Sequence, residues 1–185
     1  MARRLLSLPL SILRALTAPV RRARRTIPRA YWTARVRRRA LSAGPGLHVN
    51  RRTMIPGGSV RIGANCHFNG MYVAGCGGVT FGDNFHSGRD CKIITVNHNY
   101  YSGESLPYDA TVINRPVTIG DNVWMGDNVI VLPGARIGEG VVIGAGAVVA
   151  GAVEDLAVIG GNPARPIKYR DREHYERLKA ERRFL

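Results

Sequence analysis

The chain has 185 residues, enough for one domain with a sizeable core plus appendages, and carries a formal net charge of +14. The charge is uneven: residues 1–52 hold fourteen arginines and no acid, while residues 53–185 hold thirteen bases and thirteen acids, so the basicity belongs to an N-terminal arm. Cys66, Cys76 and Cys91 show no paired spacing, which excludes a disulfide framework, and no stretch reaches the roughly 18 apolar residues of a membrane span.

In the arm, Leu6, Leu10, Leu13 and Thr17 fall on one helical face with arginines flanking them. That pattern describes either a surface-seeking amphipathic segment or a helix packed on a neighbouring subunit. Pro9 and Arg14 interrupt the apolar stretch and no clean small-residue cleavage site follows, which argues against a signal peptide. Trp32, Val36 and Ala40 continue at helical spacing until Ser42-Ala43-Gly44-Pro45-Gly46 breaks the pattern, giving a basic, partly helical arm over 1–46. Peripheral contact with a membrane through this arm is expected, at the inner face of a cytoplasmic protein. No motif supports a nucleic-acid partner.

From Ile119 onward an aliphatic residue recurs at every sixth position: Met125, Val131, Ile137, Ile143 and Val149. Four residues after each comes a small or β-branched partner: Val123, Val129, Ala135, Val141, Ala147 and Val153. A six-residue period fits neither a helix, with its period of about 3.6, nor a half-buried strand, with its period of about 2. It predicts a solenoid of short parallel strands, three hexads to a triangular coil, with five or six coils between residues 47 and 160. Upstream the register is legible at Ile62, slips by one residue, and resumes as Phe81, Ser87 and Ile93. Cys66 and Cys91 take the small inward slot, where cysteine serves as a compact hydrophobe. His67 and His86 are nineteen residues apart and should stack on one face. After His98 the period stops over 99–112, then returns at Ile113. Residues 161–166 end the solenoid, and a helix over 171–184 is expected to cap it, with Tyr175 and Leu178 on one face and a Glu173–Arg177 pair. The expected units are therefore the arm (1–46), a repeat domain (47–168) and a C-terminal helix (169–185).

The stretch from Pro116-Val117 through Ile119-Gly120 and Asn122-Val123-Trp124 to Gly126 resembles the signature of hexapeptide-repeat acyltransferases. So do Val131-Leu132-Pro133-Gly134, Ile143-Gly144-Ala145-Gly146 and the closing Gly161-Asn162-Pro163-Ala164-Arg165. The similarity is to the branch of maltose and galactoside O-acetyltransferases and polysaccharide-modifying acetyltransferases, and spans roughly 58–170. It implies an all-β, left-handed parallel β-helix, a homotrimer with active sites in clefts between subunits, and acetyl-CoA as acyl donor along the prism wall. It implies a role in polysaccharide biosynthesis, with a hydroxyl of a sugar or glycan precursor as acceptor.

The same resemblance makes His98, before the long loop, the general base. Imidazole titrates near neutral pH, so it can take the proton of a hydroxyl attacking a thioester. Asn69 aligns with an asparagine near the reacting centre that stabilises the oxyanion or orients the acceptor. His67 matches an acceptor-pocket position. Tyr100 and Tyr101, with Glu104, Tyr108 and Asp109, give the loop aromatic faces and carboxylates suited to a sugar. For coenzyme A, Trp124 offers a flat wall, Gly126, Gly144 and Ala145 permit close approach, and Arg165 and Lys168 match positions for the phosphate end. Where relatives carry a Thr-Lys-Asp triplet this chain has Ala150-Gly151-Ala152, so one phosphate-binding lysine is missing. No metal is expected. The competing readings are a γ-type carbonic anhydrase, which would need His67, His86 and His98 to converge, and a non-catalytic hexapeptide scaffold.

Overall fold

The computed structural model describes residues 29–185, so the segment around 6–17 lies outside the described residues. Short strands stack in parallel into three walls that enclose one core, a left-handed parallel β-helix of about six coils. Wall one runs from Ser42–Ala43 through Val60–Ile62, Val79–Phe81, Val117–Ile119 and Arg136–Ile137 to Ala152–Val153. Wall two begins at His48–Val49 and passes through His67–Phe68, His86–Ser87, Trp124–Met125 and Val142–Ile143 to Ala157–Gly161. Wall three holds Thr53–Met54, Met71–Ala74, Cys91–Ile94, Ile130–Val131 and Val148–Val149. The first rung of the ladder, Ser42–Ala43, falls inside the stretch that the sequence assigned to the arm.

The hexad positions do what their spacing predicts. Ile119, Met125, Val131, Ile137, Ile143 and Val149 are all buried, as are their partners Val123, Val129, Ala135, Val141 and Ala147. Cys66 and Cys91 are buried too, and burial pushes the Cys66 thiol up to about 11. Phe68, Phe81 and Phe85 meet inside the second and third coils with ring centroids 4.7 to 5.5 Å apart.

One corner column is left-handed: Asn65, Asn84 and Asn122 adopt φ of 54°, 55° and 57°, a conformation asparagine tolerates. Their amides form a ladder, Asn65 Nδ2 donating to Asn84 Oδ1 at 3.2 Å and Asn84 Nδ2 to Asn122 Oδ1 at 2.9 Å. Asn122 passes the chain to the Tyr175 hydroxyl at 2.8 Å, and that hydroxyl donates to Glu139 Oε1 at 2.8 Å.

Both prism ends are closed. A helix over residues 29–39 lies on the first coil, with Val36 buried in the core and Trp32 and Ala40 packed against it. Its Arg39 Nε donates to the carbonyl of Ile55 at 2.8 Å, and Thr33 Oγ1 accepts from Val49 N–H at 3.0 Å. At the other end the structure corrects the expected helical cap. The strand Ala164–Tyr169 turns back antiparallel along Ala157–Gly161 and covers the open edge of wall two. The C-terminal helix, Arg172–Ala180, lies instead along the asparagine corner, with Asp171 as its N-cap accepting from His174 N–H at 2.7 Å. Its buried Tyr175 sits over Gly140, where a Cβ would come within 2.9 Å of the ring. The ion pairs on this helix are Arg177–Glu181 and Lys179–Glu139, and the Glu173–Arg177 pair does not form.

Candidate active site

The interruption after His98 is a hairpin. Val96–His98 pairs antiparallel with Val112–Asn114, leaving at the corner between walls three and one. Arg115 N–H donates to the Thr95 carbonyl at 2.8 Å, closing the neck where the excursion returns. Inside the loop Asp109 accepts from the N–H of Thr111 at 2.8 Å and of Glu104 at 3.3 Å, and from Asn99 Nδ2 at 3.4 Å. These bonds, led by the Thr111 N–H, hold the Asp109 carboxyl below the usual carboxylate range. Asp109 thus spends its oxygens on the loop's own backbone, where sequence reasoning assigned it to a sugar.

His98 is exposed at the mouth of this loop, and its ring stacks on Tyr108 at 3.9 Å and 15°. Among the described residues neither ring nitrogen makes a hydrogen bond, so both are open to an incoming hydroxyl. Tyr100 and Tyr101 are almost fully solvent-facing, at 69% and 93% exposure, and offer flat apolar faces beside it.

The outward column of wall two carries the next group. His48, His67 and His86 occupy successive rungs, and Trp124, Val142, Val158 and Lys168 continue the column. His67 and His86 stack at 4.3 Å and 12°, as their spacing predicts, and His48 meets His67 edge-on at 4.8 Å. Burial depresses the pKa of both His67 and His86, and for His67 the neighbouring His86, His48 and Arg29 add to the effect. His98 stands on the hairpin, so His67, His86 and His98 do not converge within one chain.

Trp124 and His86 form one side of a cleft of about 500 Å³, whose other side is the C-terminal helix with Arg170, Tyr175 and Lys179. Arg170 lies over the Tyr175 ring at 4.8 Å. The spacing placed Tyr175 on the apolar face of the last helix, but its partners Asn122 and Glu139 were not foreseen. Burial raises the Glu139 carboxyl, but hydrogen bonds from Lys179, Tyr175 and Asn122 outweigh it and leave its pKa below the ordinary value.

The glycines assigned to coenzyme binding have a packing reason as well. A Cβ on Gly126 would fall 2.7 Å from Ala145 N, and one on Gly144 would fall 3.3 Å from the Ile159 carbonyl oxygen. Stacking of the coils therefore excludes a Cβ at Gly126 and leaves little room for one at Gly144 before any ligand arrives. Ala145 is exposed next to them, and Arg165 and Lys168 are exposed on the returning strand, in register with Gly160 and Val158. Asn69 stands at the corner after wall two. Its Oδ1 accepts from Asn50 at 2.8 Å and its Nδ2 donates to the Ser87 carbonyl at 2.7 Å, so one amide N–H remains for other work.

In one chain, then, His98 leaves from the corner between walls three and one, while His67, His86 and Trp124 stand on wall two. Among the described residues no group of three or more His, Cys, Asp or Glu side chains is arranged to hold a metal ion.

The family of bacterial transferase hexapeptides (six repeats) matches residues 116–151. No curated protein sequence matches the chain. Among solved structures, a maltose O-acetyltransferase from Clostridium difficile 630 is 31% identical over 74% of this chain and 73% of its own, with a TM-score of 0.66. A hexapeptide-repeat acetyltransferase from Vibrio cholerae O1 biovar eltor, complexed with acetyl coenzyme A, is 25% identical over 90% of this chain and 92% of its own, with a TM-score of 0.67. A galactoside acetyltransferase in complex with coenzyme A shares the fold at 23% identity, 94% coverage of each chain and a TM-score of 0.66. With the hexad register, the prism and this degree of identity together, the chain belongs to the hexapeptide-repeat acetyltransferases.

Proposed function

We propose that the protein transfers an acetyl group from acetyl-CoA to a hydroxyl of a sugar or glycan precursor, in polysaccharide biosynthesis, with His98 as general base. The observation that carries this reading is the placement of His98: a stacked, solvent-open imidazole at the neck of a hairpin inserted into an acetyltransferase prism. The solved maltose O-acetyltransferase supports a sugar hydroxyl as acceptor, and the Vibrio cholerae relative holding acetyl coenzyme A supports the donor.

His98 takes the proton of the acceptor hydroxyl as that oxygen attacks the thioester carbonyl, and returns it to the departing thiolate. The remaining amide N–H of Asn69 serves the tetrahedral oxyanion or orients the acceptor. His67, Tyr100 and Tyr101 line the acceptor side. Trp124 flanks the donor's thin arm beside Gly126, Gly144 and Ala145, while Arg165 and Lys168 meet its phosphates. Cys66 and Cys91 are buried with raised pKa values, which makes both poor acyl carriers; the third thiol, Cys76, is exposed.

A homotrimer completes the arrangement, because the hairpin of one copy can then face wall two of the next. The test is turnover of acetyl-CoA across a panel of free sugars, nucleotide sugars and lipid-linked glycans, with the wild type and His98→Ala. Turnover with a glycan acceptor that disappears in the variant supports the reading. Turnover that survives the substitution removes His98 from its role.

A further inference from the structure

The end of the prism closed by the N-terminal helix is strongly basic. Residues 29–52 contain seven arginines, Arg29, Arg35, Arg37, Arg38, Arg39, Arg51 and Arg52, and no acid. The ion pairs among the described residues all lie on or beside the C-terminal helix, so these guanidinium groups have no carboxylate partner there. Arg37 and Arg39 are occupied with carbonyls of the first coil, while Arg38, Arg51 and Arg52 are exposed.

Apolar and aromatic side chains are set among these cations. Tyr31 is 55% exposed, Met54 38% and Tyr72 48%. A hollow of about 350 Å³ is lined by Tyr31, Trp32, Arg35, Arg52 and Met54. A second, of about 250 Å³, runs on from it past the same Arg52 and Met54 to Tyr72 and Lys92, with Asp90 the one acid on its rim. Guanidinium groups for phosphates and tyrosines for an interface thus occur together along this end and the adjoining outer face of wall three, where Met54, Tyr72 and Lys92 hold successive rungs. The sequence that leads into this helix continues the theme, with seven further arginines and a run of leucines in residues 1–28. Leucines between arginines match a surface that is anionic and apolar at once, whereas a nucleic-acid backbone has no use for them.

We propose that this end of the prism, together with the adjoining edge of wall three, docks on an anionic phospholipid bilayer, with Arg38, Arg51, Arg52 and Lys92 at the lipid phosphates and Tyr31, Met54 and Tyr72 in the interfacial layer. The contact belongs to the folded end of the solenoid as well as to the arm, and stands apart from the acetyl-transfer reading.

The test is co-sedimentation of the full chain with vesicles of phosphatidylcholine, with and without phosphatidylglycerol, at physiological ionic strength. Wild-type protein should bind only the phosphatidylglycerol vesicles, and less as salt rises. The triple variant Arg38→Gln/Arg51→Gln/Arg52→Gln should lose at least about tenfold in binding, each basic residue near an anionic surface contributing about fivefold. Arg52→Gln alone, at the residue shared by both hollows, provides a second and milder variant, and melting temperatures confirm that each folds. A chain with Arg21, Arg22, Arg24 and Arg25 changed to Gln should weaken but keep phosphatidylglycerol-dependent binding. Wild-type-like binding by the triple variant, or complete loss in the arm variant, would overturn the proposal. So would tighter binding to a DNA duplex than to the vesicles at the same salt. Turnover of a soluble acceptor by the triple variant should equal the wild type, so a failure here leaves the catalytic reading untouched.

Discussion

The stacked walls and the hairpin at 99–112 use the same residue types in opposite ways. On the walls polar side chains are absorbed by the stack: Asn65, Asn84 and Asn122 bond to one another, and the Asp83 and Asp121 carboxylates each accept an N–H from the coil below. In the hairpin, Asn99 and Asp109 order only the loop, which leaves His98, Tyr100 and Tyr101 facing out. A repeat spends its polar groups on neighbours, whereas an insertion can keep some for a ligand.

The largest effect should come from the hairpin. His98→Ala is expected to lower kcat by about 10²–10⁴-fold with a nearly unchanged melting temperature, because it removes the proposed general base and, of packing, only the exposed stack on Tyr108. If the site is shared between subunits of a trimer as proposed, mixing that variant with Trp124→Ala under conditions of subunit exchange should restore part of the activity, since a mixed assembly would hold one intact site. Mixed samples no more active than their parents would place the whole site within one chain.

Substitutions on the wall side should act through stability. Phe85→Ala, within the three-phenylalanine cluster, should cost about 3–5 kcal/mol in urea denaturation and leave the KM of the folded fraction unchanged. Tyr175→Phe, which strips Asn122 and Glu139 of a shared partner, should cost about 1–3 kcal/mol.

The smallest effect is a pH dependence of the histidine column. His67 and His86 have folded pKa values below their ordinary 6.5, so the unfolded chain binds more protons in the window beneath 6.5. Stability should be unaffected above that value and decline gently as pH falls through it towards the depressed folded values. His67→Gln/His86→Gln should flatten the decline, and an unchanged slope would assign it to other groups.

The sequence was most legible where the period was unbroken. From Ile119 to Val149 every inward residue was predicted and every one is buried, because a six-residue repeat leaves no alternative face. His67 over His86 was visible from a separation of nineteen. Trp124 beside His86 was not, because the hairpin lies between them and places rung partners 38 residues apart in sequence. His48 escaped notice because the first coil is the least regular. The returning strand Ala164–Tyr169 was not foreseen, the solenoid being read as ending over 161–166; Pro166 is tolerated there because the strand lies at an edge. The docking of Tyr175 depends on Gly140 leaving room, a contact between distant residues that no local pattern encodes.

The closed neck at Thr95 and Arg115 bears on how the protein could diversify. The coil that ends at Thr95 stacks directly on the coil that begins after Arg115, with Asp83 N–H bonded to Asp121 Oδ1 at 2.7 Å as if nothing intervened. The loop thus leaves the stacking of the coils on either side of it uninterrupted. A graft of a different loop between His98 and Val112, which keeps His98 and the strand pair, should fold as well as the parent, and a changed acceptor preference would be read in turnover across the sugar panel.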